Sequence, residues 1–403
     1  MSSAKSDEEA SDNNYLVDEV DLLFVRVYPS EYEAMELDTT MLSRVMEADL
    51  MASRLDHENG KQEVTENAWP SLKERIQRFL RRRDRYIALV SLLLKSQAYY
   101  QDLRAAASNP DTDTADLAMS ASVVDKHQRP IVDLPRTSHT KPFIPRQKQL
   151  TAFSISHQAP FIGMARWLHK AGSSSSATPQ DTNGSTASAA SEQPSVGSCE
   201  LLSIGFDIVV FEKLNTKLYR TIEDFLDVFR SSFASAEWLQ LLDAPDRLCE
   251  FYIRWSMKEA YTKALGLGMS YSFDQFQITL QNCTSTTTAP ADEDTSIWSW
   301  IGTKRLSGSH AVSHGTVQRQ NPKLKEDNMG RLIGETERWL FIFRPLPLTT
   351  ESSTVSGCAC ACVGPLDEED YWECGQVQIR DNWTTVHELL QFHGIEIGTD
   401  PAG

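Results

Sequence analysis

The 403-residue chain has no apolar run near the ~20 residues that a membrane span needs; its best, Tyr86 to Leu94, is about half that. Positive charge is also in short supply. The formal net charge is −17, which argues against nucleic acid as the main partner. The opening residues, MSSAKSDEEASDNNY, carry neither an apolar stretch nor a basic one. Neither a secretory signal nor an Arg-rich transit peptide is therefore expected, and the N-x-S/T sequons at Asn183, Asn282 and Asn382 read as chance occurrences. Cysteine is scarce too: there are seven, an odd number, with no zinc-type spacing. Cys358, Cys360 and Cys362 alternate, so a strand would place all three on one face. A metal or redox role is one reading of them. Small, buried, reduced residues of a cytoplasmic protein is the other, and the one favoured by packing chemistry.

What the chain does have is uneven charge. Residues 1–60 hold 15 acidic and 4 basic side chains, whereas Arg75, Arg78, Arg81, Arg82, Arg83 and Arg85 crowd into one short stretch. A solvated helix face is the bland explanation, and a site for an anionic ligand the functional one.

Composition shifts divide the chain. Residues 1–15 read as a disordered tail, 16–171 as an N-terminal subdomain, 172–198 (Ser/Ala/Thr/Gly-rich) as a flexible linker, and 199–403 as a C-terminal subdomain. Within the last, 283–335 is low in apolar residues and reads as an insertion. Leu22 to Val27, Phe153 to His157 with Phe161 to Ala165 as hairpin partner, Leu201 to Val210, Phe276 to Leu280, Trp339 to Phe343 and Gly357 to Val363 read as strands. Helical spacing covers 39–55, a segment from Ser71 that continues or restarts through Tyr86–Tyr99, then 221–232, 236–242, 246–265 and 383–392. Ser71 with Glu74 makes a capping box, and Gly266-Leu267-Gly268 a helix stop. Helices with small, mostly antiparallel sheets in each half predict an α+β fold.

Two features point to chemistry. Asp207 lies inside an apolar strand, where a charge is costly unless paired or holding a cation. Glu259 and Lys263 are four residues apart and share a helix face. Alone that pair would be a surface salt bridge. With Asp207 it suggests half of a Mg²⁺ shell, because Mg²⁺ is commonly held by one or two carboxylates plus waters and phosphates. A lysine one turn away could then meet a phosphate or leaving group, an arrangement suited to phosphate transfer.

These residues fall in strings that resemble a known family. Ser203-Ile204-Gly205-Phe206-Asp207-Ile208 is similar to the (V/I)-G-(I/V)-D-(I/V/L) motif of the Sfp-type 4′-phosphopantetheinyl transferases. Phe251-Tyr252 and Trp255-Ser256-Met257-Lys258-Glu259-Ala260 through Lys263, Gly266 and Gly268 resemble their F-Y-x-x-W-x-x-K-E-(A/S)-x-x-K-x-x-G-x-G motif. Phe233 with Glu237-Trp238 resembles F-(S/T)-x-x-E-(W/Y). In the first half, Lys73-Glu74-Arg75-Ile76 with Phe79 and Asp84, Arg136 through Lys141-Pro142, and Phe153-Ser154-Ile155-Ser156-His157-Gln158 resemble the animal and fungal branch, that of the aminoadipate-semialdehyde dehydrogenase phosphopantetheinyl transferases.

The resemblance implies two similar α/β subdomains related by a pseudo-two-fold axis. It implies Mg²⁺-dependent transfer of 4′-phosphopantetheine from coenzyme A to a serine of apo acyl or peptidyl carrier proteins, releasing 3′,5′-ADP. Fatty-acid synthesis and lysine metabolism are the implied settings. Asp207 and Glu259 correspond to the metal ligands, and Lys263 to the lysine beside the pyrophosphate. Ser156 and His157 correspond to phosphate contacts on coenzyme A, and Arg75, Arg136 and Lys141 to contacts on its 3′-phosphate and adenine side. Lys258 would pair with nearby acids and hold Glu259. A cytoplasmic monomer without nucleic-acid or membrane partners is expected. Three departures stand out: Val209 occupies the place of a third acid found in bacterial members, Ala234 that of a Ser/Thr, and Thr140 that of a glycine. The rival readings are a non-catalytic carrier-binding module and another coenzyme-A enzyme such as an acyltransferase. The first would lose a metal ligand or the lysine. The second needs a nucleophile in a thioester context, which the sequence does not offer.

Overall fold

The computed structural model describes residues 19–28, 72–107, 131, 134, 144–146, 149–168, 203–281, 296–305, 310–320, 326–327, 331–347, 355–366 and 377–395. The helix expected over 39–55, the Ser71 cap, the 172–198 linker, Arg136, Thr140 and Lys141 lie outside these residues. Eleven strands are described: β1 (Glu19–Arg26), β2 (Ile144–Arg146), β3 (Gln149–Thr151), β4 (Phe153–Gln158), β5 (Phe161–Leu168), β6 (Ser203–Val210), β7 (Phe276–Gln281), β8 (Ala311–Arg319), β9 (Thr336–Pro347), β10 (Val355–Leu366) and β11 (Gln378–Thr384). The described helices are α1 (Leu72–Gln77), α2 (Arg82–Ala107), α3 (Ile222–Val228), α4 (Ser235–Asp243), α5 (Arg247–Ala264), α6 (Ile297–Arg305) and α7 (Val386–Phe392).

The strands form a four-stranded sheet ordered β11-β1-β5-β4, a five-stranded sheet ordered β6-β10-β9-β8-β7, and the small β2-β3 pair. Helices and mostly antiparallel sheets together make an α+β architecture. The alternation of β1 explains the layering. Leu23 and Val25 turn toward α2 and α7, packing with Val90, Leu93 and Leu389. Val20, Leu22 and Phe24 turn the other way, onto Ile204, Phe206 and Ile208 of β6 and Ala359 and Ala361 of β10. The far face of the second sheet, including Val209 and the three thiols of β10, packs under α5 and α6 with Met257, Ala260 and Ile301. The order of layers is thus helix, sheet, sheet, helix. The alternation read in Cys358, Cys360 and Cys362 is borne out: all three are free and buried on the α5 side, with alanines on the opposite face.

Three local outcomes differ from the sequence reading. Residues 297–305 and 311–319, within the low-apolar stretch 283–335, form α6 and β8, and β8 pairs with both β7 and β9 inside the sheet. Its period-2 burial hides behind Ser, His, Thr and Gln side chains. The helix expected from Trp383 begins three residues later, because Thr385 caps it reciprocally with Glu388. Trp383 instead lies in β11, one residue before its end, stacked on Phe24 at 4.9 Å between ring centres. And β11, late in the chain, pairs in parallel with β1, so residues 378–384 belong to the first sheet. A buried network ties that sheet to α2: Arg166 bonds Asp21, Asp102 and Gln101, and Asn382 donates to Asp21 at 2.6 Å.

Helix α5 positions the site. Asp246 caps its start through the Cys249 N–H at 3.0 Å. Its end is a Schellman turn: Leu267 N–H reaches Thr262 O at 2.9 Å and Gly266 N–H reaches Lys263 O at 3.0 Å, with Gly266 at φ 70. The helix lies against β6 at one glycine. A Cβ on Gly205 would stand 1.8 Å from the Ala260 carbonyl oxygen and 2.5 Å from the Ala264 nitrogen. Only glycine permits this approach, and it sets the flanking helix residues, Glu259 and Lys263, beside the next residue on that face of β6, Asp207.

Candidate active site

Asp207 is buried at 8% exposure in β6. Lys263 Nζ donates to its Oδ1 at 2.7 Å, and Ser156 Oγ, from β4, donates to the same oxygen at 2.8 Å. Lys263 Nζ also donates to Ser156 Oγ at 3.0 Å. The cost of a carboxylate in an apolar strand is thus offset by an ammonium and a hydroxyl. The two sheets supply these groups jointly: Ser156 comes from the first, Asp207 from the second.

Glu259 is half-buried one turn before Lys263 on α5. Desolvation raises its pKa above the ordinary glutamate value; Lys263 opposes the shift and the charge of Asp207 adds to it. The two carboxylates therefore feel each other, with Lys263 in the field of both. His157, next to Ser156, is exposed by surface area yet sits close enough to the packed mouth of the site that desolvation lowers its pKa, with Lys263 acting in the same direction. Asp84, in the first turn of α2, and Asp207 pull it back up. The charge of Asp84 at the start of α2 thus reaches His157. Arg75 lies half-buried on α1, which packs against α2.

Five of the eight sequence candidates, Ser156, His157, Asp207, Glu259 and Lys263, converge here. The adjacent lysine does something else. Lys258 is 1% exposed; its Nζ pairs with Glu237 at 2.9 Å and donates to the carbonyls of Phe273 at 2.9 Å and Phe276 at 2.8 Å. Glu237 in turn accepts from the N–H of Ile278 at 2.9 Å and of Ala234 at 3.0 Å, the second being half of a capping box whose other half Ala234 cannot supply. Trp255 packs against Phe229, Phe251 and Phe273. Val209 is buried in the α5-facing core. Sequence reading quoted Ser154 and Gln158 only as parts of a string. Their signal was the period-2 run of polar residues Ser154, Ser156 and Gln158 on a strand that is mostly buried.

Asp207 and Glu259 offer two hard oxygen donors with a shared repulsion that a divalent cation would relieve, so the donor set fits Mg²⁺. Among the described residues no group of three or more His, Cys, Asp or Glu side chains stands together as a metal cage. Two carboxylates suffice where water and phosphate complete the shell.

Comparison with known proteins agrees with this chemistry. Residues 203–313 match the model of the 4′-phosphopantetheinyl transferase superfamily, a stretch that contains Asp207, Glu259 and Lys263. A curated phosphopantetheinyl transferase from Thraustochytrium sp. (strain ATCC 26185 / S-3) is 26% identical over 158 residues, 37% of this chain and 43% of that protein. The chain thus matches less than half the length of that relative.

Proposed function

We propose that this chain transfers 4′-phosphopantetheine from coenzyme A to a serine of an apo carrier protein, releasing 3′,5′-ADP. The observation that supports it most directly is the junction of Asp207, Lys263 and Ser156 beside Glu259, in a region that matches the transferase superfamily. Mg²⁺, held by Asp207 and Glu259, would supply charge neutralisation at the pyrophosphate. Ser156 and His157 would hold phosphate oxygens, with Arg75, Arg136 and Lys141 on the 3′-phosphate and adenine side. Glu259 would accept the proton of the carrier serine directly or through a water. The serine oxygen forms a bond to the phosphorus that bears pantetheine as the pyrophosphate bridge breaks, and Lys263 meets the charge left on 3′,5′-ADP. For that, Lys263 must leave Asp207, and its partly exposed side chain borders the solvent into which it can swing.

The two subdomains would be related by a pseudo-two-fold axis: β1-β5-β4 and β6-β10-β9 share one pattern, a first strand paired with the second strand of a later hairpin. We place the protein in the animal and fungal branch, as a cytoplasmic monomer, with carriers of fatty-acid synthesis or lysine metabolism as substrates. Among the described residues no helix is long and apolar enough to cross a membrane. The carrier docks between the two halves, near the start of α5 and Phe233. The test is incubation of apo carrier protein with coenzyme A and Mg²⁺. One added phosphopantetheine mass with stoichiometric 3′,5′-ADP is expected; with an acyl-coenzyme A supplied in place of coenzyme A, release of free thiol and an acylated carrier without 3′,5′-ADP would instead indicate an acyltransferase.

A further inference from the structure

β4 and β6 are edge strands of different sheets, yet they run side by side at the site. Side chains stitch them. Ser154 Oγ accepts from the Phe206 N–H at 3.0 Å, Ser156 Oγ donates to Asp207 at 2.8 Å, and Gln158 Oε1 accepts from the Val210 N–H at 2.9 Å. Three alternate residues on one face of β4 therefore line the edge of β6, and two of them, Ser154 and Gln158, give its Phe206 and Val210 N–H groups their acceptors. The alignment is sensitive, because a one-residue slip of β4 would present Ile155 or His157 to Asp207 in place of Ser156.

We propose that Ser154 and Gln158 are positioning residues for the transfer reaction. They fix the register of the first sheet against the second, and through it the place of Ser156 and His157 beside Asp207 and Lys263. They accept from backbone N–H groups and do not touch the reacting atoms; Ser154 lies two residues before Ser156, and Gln158, whose Nε2 also reaches Glu212, one residue after His157.

This inference rests on the transfer reading, so its test separates the two. Wild type, Ser154→Ala, Ser154→Thr and Gln158→Leu are compared well below their melting temperatures, with kcat and KM for coenzyme A measured separately. His157 ring signals in the NMR spectrum, assigned with His157→Gln, are followed without any substrate. Ser154→Ala and Gln158→Leu are expected to shift the His157 signals and to lower kcat/KM by about 10- to 100-fold, the scale of a small misplacement of reacting groups. Ser154→Thr keeps the accepting oxygen and is expected to restore both to near wild type. Unmoved His157 signals in both loss variants would overturn the inference whether or not the wild type transfers anything. So would a lower melting temperature with kcat and KM unchanged, the mark of a purely structural role. A wild type with no transfer to any carrier would sink the functional reading, while the His157 signals would still decide the alignment.

Discussion

Helix α5 carries two lysines five residues apart that face opposite fates. Lys258 is sealed at 1% exposure with Glu237 and two carbonyls. Lys263 is 28% exposed at its side chain and holds Asp207 at the mouth of the cleft. Their ion-pair distances are similar, 2.9 Å and 2.7 Å. Surroundings divide them. Burial lowers the Lys258 pKa, with the nearby Glu237 charge opposing the shift, and the pair has no route to exchange partners. It binds α4, α5 and the start of β7 into one body. The Lys263 pair borders solvent and a second carboxylate, so its ammonium can trade Asp207 for phosphate. A buried pair holds shape; an open pair can take part in chemistry.

Substitutions can break that contrast, and the largest effect is expected upstream of both pairs. Gly205→Val would drive a side chain into the α5 backbone and lift both lysines from their places; the soluble, cooperatively folded protein should be lost, as judged by circular dichroism. Next, Lys258→Met leaves Glu237 buried without its cation. A loss of about 3–5 kcal/mol in denaturant unfolding is expected, with kcat little changed in the fraction that remains folded. Lys263→Met should shift the emphasis: Asp207 keeps the Ser156 hydroxyl and lies beside a lysine position that borders solvent, so the stability loss should be clearly smaller than for Lys258→Met, but transfer should be slowed by ~10²-fold or more. Equal stability losses in the two lysine variants would erase the distinction drawn here. The smallest effect is a gain. Ala234→Ser would complete the α4 cap that Glu237 now serves from one side, stabilising by about 1 kcal/mol with transfer unchanged.

Much of this was legible in residues whose types are odd for their setting. An aspartate in an apolar strand announced that something must neutralise it, and Glu259 with Lys263 at helical spacing offered the groups. The β4–β5 hairpin, α3 to α5 and the alternating cysteines followed from local period and caps. Long-range pairing was less readable. Nothing local to Gln378–Thr384 says that it joins β1, because parallel pairing is decided by the first sheet's open edge. β8 was hidden because its buried face is Ala311, Ser313, Gly315 and Val317, too little apolar to mark a strand. Lys258 and Glu259 are neighbours in one string, and only the fold shows that one faces Glu237 and the other the cleft. The role of Gly205 was likewise invisible until α5 was seen resting on it.

The central claim is that Asp207 and Glu259 share one divalent cation when coenzyme A is bound, with Lys263 displaced toward phosphate. Crystals grown with coenzyme A and Mn²⁺ would test it through the anomalous difference map. A single peak within coordination distance of both carboxylates, with Lys263 Nζ moved off Asp207 onto a phosphate oxygen, is the predicted result. A peak elsewhere, or none beside bound coenzyme A while Lys263 stays on Asp207, would contradict it.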